Sequence, residues 1–104
     1  MIQQFDVFAN PDASEAAYRP FLVVLQSDLV SDLRSTIVAP LVRRKEMTGA
    51  QRLNPLVNVG GEEFWLAIHE LFALDRRILR KKIASLAECR DDVIAALDML
   101  FTGF

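Results

Sequence analysis

Hydrophobic and polar positions are most clearly ordered at the C-terminal end of the chain. Between Ser85 and Phe104, residues Leu86, Cys89, Val93, Ala96, Leu97 and Leu100 recur at helical spacing. Glu88, Asp91, Ala95, Asp98 and Thr102 fall on the opposite side. The spacing predicts one amphipathic helix over Ser85 to Phe101. Ser85 followed by Glu88 fits a capping box, and acids in the first turns suit the positive end of the helix dipole. Beyond Phe101 the chain adds only Thr102, Gly103 and Phe104, so its tip is apolar. Two readings stay open: Phe101 and Phe104 fold back onto the body, or they form a protein-binding tip.

Upstream, the pattern changes to short extended runs. Ile2 to Ala9 reads as a first strand that stops at Asn10, Pro11 and Asp12, and Pro11 to Ala17 reads as an exposed loop. Phe21 to Leu25 is continuously apolar with two β-branched residues, which predicts a strand buried on both faces. Leu29 to Ser35 reads as a loop or a short helical turn. Ile37 to Val42 is apolar again, but Pro40 cannot donate to a ladder, so the expectation is an edge or a bulge. Arg43 to Arg52 is rich in cations and reads as a solvated, mobile loop. Leu56 to Val59 and Glu62 to His69 flank Gly60-Gly61, the strongest hairpin signal in the chain. In the second of these runs Phe64, Leu66 and Ile68 share one face while Trp65, Ala67 and His69 share the other. Two apolar faces favour a closed or curled sheet.

Composition narrows the function classes. A chain of 104 residues that is 52% apolar is expected to form one domain, residues 1–104, with a real core. Twelve Lys and Arg against fourteen Asp and Glu leave a net charge of -2, so no global field points at nucleic acid or membrane. The single cysteine, Cys89, excludes an internal disulfide and sits on the apolar stripe, where a structural thiol is expected. No signal-peptide or membrane-span pattern is present, which makes a cytoplasmic protein the expectation. One His and one Cys cannot supply a zinc set, and neighbouring acids such as Asp91 and Asp92 point apart, so neither metal nor cofactor is expected. Arg76, Arg77, Arg80, Lys81 and Lys82 form a basic run, open to two readings: a grip for phosphate or an acidic peptide, or a guarded strand edge. His69 beside Glu70 could act as a general base or be a half-buried residue.

The order of residues also resembles a known family. QFDVF at the start, YRPFLVVLQSDLV from Tyr18 to Val30, IVAPL from Ile37 to Leu41, LNPLVNVGGEEFW from Leu53 to Trp65 and ALDMLFTGF from Ala96 to Phe104 are together similar to the CcdB family of bacterial toxins. The resemblance runs nearly end to end. It implies an α+β, mostly β fold: a small Src-homology-3-like antiparallel barrel, shared with the MazF and Kid toxins, followed by a C-terminal helix. It further implies a non-enzymatic homodimer that binds the A subunit of DNA gyrase and traps the cleaved DNA complex. A cognate antitoxin would neutralise it, with DNA met only through the antitoxin complex and no membrane involved.

The family's target contact corresponds to Thr102, Gly103 and Phe104, with Asp98 and Met99 beside them. Thr102 stands where the family's well-known toxins place Trp, and Phe104 could supply the missing ring. Arg76, Arg77, Arg80, Lys81 and Lys82 would suit an acidic antitoxin tail. The same barrel carries ribonuclease toxins, for which Arg19 and His69 are the only plausible pair here. A non-toxic, antitoxin-binding homologue is a third reading.

Overall fold

The computed structural model describes residues 2–103. Seven strands form one sheet: β1 (Asp6–Ala9), β2 (Phe21–Val24), β3 (Ser35–Arg43), β4 (Leu56–Val59), β5 (Glu62–Leu66), β6 (Phe72–Asp75) and β7 (Lys82–Ser85). Their order is β4-β5-β3-β2-β1-β7, with β6 beside β3, and every pairing is antiparallel. Among the described residues one α-helix, α1 (Arg90–Thr102), follows the strands. The sheet curls into a half-barrel around nine-residue β3, which pairs β2 along one side and shares its other side between β6 and β5.

Both faces of the sheet are covered, as the two-sided apolar strands predict. Val7, Val23, Ala39, Leu41, Phe64 and Leu66 point to the face on which Val93 and Ala96 of α1 pack. Phe8, Leu22, Val24 and Val38 point to the other face, against Leu79. The period of two is therefore visible within β1, β2 and β3, whose neighbouring residues enter different clusters. Phe21 and Phe64 meet edge to face, centroids 5.4 Å apart and planes at 70°, the favoured geometry for two aromatic quadrupoles. In the β4–β5 hairpin, Gly60 and Gly61 both have positive φ, 61° and 86°. That left-handed pair matches the right-handed twist of the strands and needs no Cβ.

Four expectations are corrected. Ser85 is the last residue of β7, paired with Asp6, so the helix begins at Arg90 and no capping box forms. The Ser85 hydroxyl instead accepts from Ala87 N at 3.2 Å, at the entry of a 3-10 turn over Ala87–Cys89. Pairing with β1 outweighs the local capping signal. Pro40 lies inside the central strand rather than at an edge. Its pairing with Leu22 alternates with the bonded pairs on either side, so the position that lacks N–H faces the seam between β6 and β5. There only its carbonyl is needed, and it accepts from Ala67 N at 2.9 Å. The 43–52 run is largely exposed, as expected, but its start is tied to the hairpin rather than free: Arg43 pairs with Glu62, Arg44 with Glu63, and the Arg44 carbonyl accepts from the Trp65 indole N–H. Finally, the run read as extending to His69 ends at Leu66 and turns into a 3-10 segment, Ile68–Glu70.

No helix of the described residues is long and apolar enough to cross a membrane.

Candidate functional site

The end of α1 is a finished helix terminus. Gly103 adopts φ 81°, and its N–H donates to the carbonyls of Asp98 and Met99 at 3.2 and 3.1 Å. A left-handed residue after the last turn satisfies carbonyls that would otherwise lack partners, and glycine takes that conformation without a Cβ penalty. Thr102 Oγ1 also donates to the Asp98 carbonyl, at 2.6 Å, so its hydroxyl is engaged within the helix. Leu97 and Leu100 pack against the core, whereas Phe101 is 68% exposed. For Phe101 the fold-back reading is therefore excluded. Phe104 lies outside the described residues. Asp98 is exposed and Met99 half-buried. Phe101 borders an apolar groove of about 300 Å³ whose other walls include Leu25, Ile37, Leu71 and Leu97.

The basic run lies on a 3-10 turn over Arg76–Ile78 and on β7, at one end of the sheet. Three of its five cations are engaged within the chain. Arg76 Nε donates to the Leu33 carbonyl at 2.6 Å. Arg77 forks onto Asp75, with side-chain bonds of 3.1 and 2.8 Å, and Arg34 adds a third side-chain donor at 3.3 Å. Hydrogen bonds from Arg77 hold the Asp75 carboxyl well below its ordinary range, and Asp75 in turn raises Arg77. Lys82 Nζ lies 3.2 Å from Asp6, whose carboxylate is buried in β1 and also accepts from Gln3 N. Arg80 and Lys81 are exposed and make no ion pair among the described residues.

Arg19 and His69 are brought together, with Glu70 between them. Arg19 Nε and Nη2 donate to the two oxygens of Glu70 at 2.8 and 3.0 Å, and His69 Nε2 is 3.9 Å from Glu70 Oε2. The hydrogen bond with Arg19 lowers the Glu70 pKa, and the same bond raises that of Arg19. Asn54 fixes the other side of the ring. Its Oδ1 accepts from Ala50 N and its Nδ2 donates to the Leu66 carbonyl, so towards His69 Nδ1 it can only donate, at 3.1 Å. In the neutral ring the proton is therefore on Nε2, facing Glu70. Because the Arg19 fork is filled by a carboxylate and Glu15 stands 3.9 Å away, the cluster is an ion-paired crosslink, not an open anion receptor.

Asn54 and Asp6 carried no signal in the sequence, since a buried polar role depends on partners far along the chain. Cys89 is half-buried, and burial, with Asp92 and Glu88 nearby, raises its thiol pKa, as expected of a structural cysteine. No group of metal-ligating side chains occurs among the described residues.

Set against known proteins, the family model described as CcdB protein matches residues 4–103, which includes every strand and the helix. With the curled antiparallel sheet and the C-terminal helix in the same order, this chain belongs to the CcdB family, the toxins of toxin–antitoxin pairs.

Proposed function

We propose that this chain acts as a homodimer on the A subunit of DNA gyrase and arrests growth by trapping the cleaved DNA complex. Its target-binding element is Thr102-Gly103-Phe104, flanked by Asp98 and Met99, with Phe104 as the main anchor. The observation that carries this reading is the finished, outward-facing end of α1, where Gly103 completes the cap and Phe101 is 68% exposed. A ring buried at the centre of an interface typically contributes about 2 kcal/mol or more. Thr102 cannot supply that ring, and its hydroxyl is already bonded to Asp98. The test is mutational. Phe104→Ala abolishes growth arrest while leaving folding intact, and Thr102→Trp strengthens gyrase-dependent toxicity. A toxic protein indifferent to both changes removes the tip, and with it gyrase, from the mechanism.

Neutralisation falls to an antitoxin whose acidic segment orders on the flank formed by Arg76, Arg77, Arg80, Lys81 and Lys82. Arg80 and Lys81, exposed and without ion pairs among the described residues, are its first contacts. Such charge complementarity mainly accelerates encounter, so the association rate falls with added salt. A rate that ignores salt excludes this flank. The dimer buries apolar surface at the end of α1, including Met99. Light scattering at micromolar concentration reads the dimer mass directly.

A further inference from the structure

The geometry points to a second protein-binding site, at the free edge of β4, that takes an extended peptide. In the β4–β5 ladder, Val59 and Glu62 close the two-residue turn, and Leu66 N donates to the Pro55 carbonyl at 2.9 Å. Bonded and non-bonded pairs alternate between those two points, so the backbone N–H and C=O of Leu56 and Asn58 face away from β5. None of these four groups has a hydrogen-bond partner among the described residues. The strand itself, Leu-Val-Asn-Val, carries no charge. At the other end of the sheet, β7 is treated differently: Arg80, Lys81 and Lys82 lie along its start, and cations on an edge obstruct strand addition.

What sets the occupant is the space beside the edge. A cavity of about 410 Å³, ligand-sized, has Pro55, Leu56 and Trp65 on one wall and Ala95 of α1 on the other, with Arg52 and Asp92 also lining it. The segment leading into β4 is shaped to hold the Trp65 wall. A Cβ on Gly49 would lie 2.4 to 2.7 Å from the Trp65 ring, so only glycine lets that ring lie against the backbone. Arg52 takes φ 69°, a conformation that L side chains rarely adopt and that surrounding structure must enforce. On the helix side, Glu88, Asp91 and Asp92 are all exposed, against one cation, Arg90. The fitting partner is an extended protein segment that hydrogen-bonds Leu56 and Asn58, inserts a large apolar side chain beside Trp65, and brings a Lys or Arg to Asp92. This site is independent of the α1 tip and of the β7 flank.

A set of blocked octapeptides tests it, built of alternating Val and Thr with Leu, Phe or Trp at the fourth position and Lys or Glu at the sixth. Binding by members with Lys, accompanied by slowed amide exchange at Leu56 and Asn58, is the expected result. Ala95→Trp, which fills the cavity from the helix, weakens those peptides at least tenfold. Asp92→Arg, a change at an exposed helical position, reverses the preference from Lys to Glu. If no peptide in the set slows exchange at Leu56 and Asn58, or if both variants bind the wild-type peptides unchanged, β4 is not a docking edge.

Discussion

Phe101→Ala separates a presented ring from a packed one. With 68% of the residue exposed, about a third of its surface is removed from water. Fully burying such a side chain is worth about 1.5 to 3 kcal/mol, so a third of that puts the cost to the monomer at about 0.5 to 1 kcal/mol. Phe64, 1% exposed at the centre of the sheet, provides the contrast. Its truncation leaves a cavity and costs about 3 to 5 kcal/mol. Urea denaturation of both variants, followed by far-ultraviolet circular dichroism, reads the two costs side by side. Running it at two protein concentrations separates the fold from the proposed dimer, because stability held by subunit contact falls on dilution. Growth arrest on induction supplies the functional readout. The expected pattern is a small, concentration-independent loss of stability for Phe101→Ala together with weakened arrest. A loss above about 3 kcal/mol that does not change with concentration would refute the reasoning, since it would mean that the ring is part of the monomer core.

Gly49→Ala drives a methyl into the Trp65 ring; overpacking of this kind costs about 1 to 3 kcal/mol, and the Trp65 fluorescence maximum shifts with it. Lys82→Met leaves the buried Asp6 carboxylate with Gln3 N as its remaining partner, so stability at neutral pH drops by about 1 to 3 kcal/mol, read as a lowered urea midpoint. Glu70 has a folded-state pKa below its ordinary 4.5 because of the bond to Arg19; its contribution is therefore present above that value and is lost as pH falls through the folded pKa. Glu70→Gln accordingly flattens the acid limb of the stability profile below about pH 4.5, and an unchanged limb in acid titrations would show that the crosslink does not stabilise the fold.

The hairpin, the strand buried on both faces and the helical stripe were legible because each is written within a few neighbouring residues. Gly60-Gly61 demands its turn by backbone freedom alone, and Val93, Ala96, Leu97 and Leu100 mark the packed side of α1 by spacing alone. The apolar tip and the basic run were equally plain as composition. Tertiary structure decided how those residues are used. Ser85 carries a valid capping signal but is drawn into β7 by its pairing with Asp6, which moves the start of α1 to Arg90. Pro40 breaks no ladder because its missing donor falls at the seam between two partners of β3. Arg76, Arg77 and Lys82 look like free charge in the sequence, yet Leu33, Asp75 and Asp6 take them up. The link from Arg19 to Glu70 spans 51 positions, and Asn54 becomes a core residue only once Ala50, Leu66 and His69 surround it. Periodicity and turn chemistry act over a turn or two of chain, whereas partners for buried and charged groups are set by strand order and register, which place distant residues within hydrogen-bonding reach only after the sheet has closed.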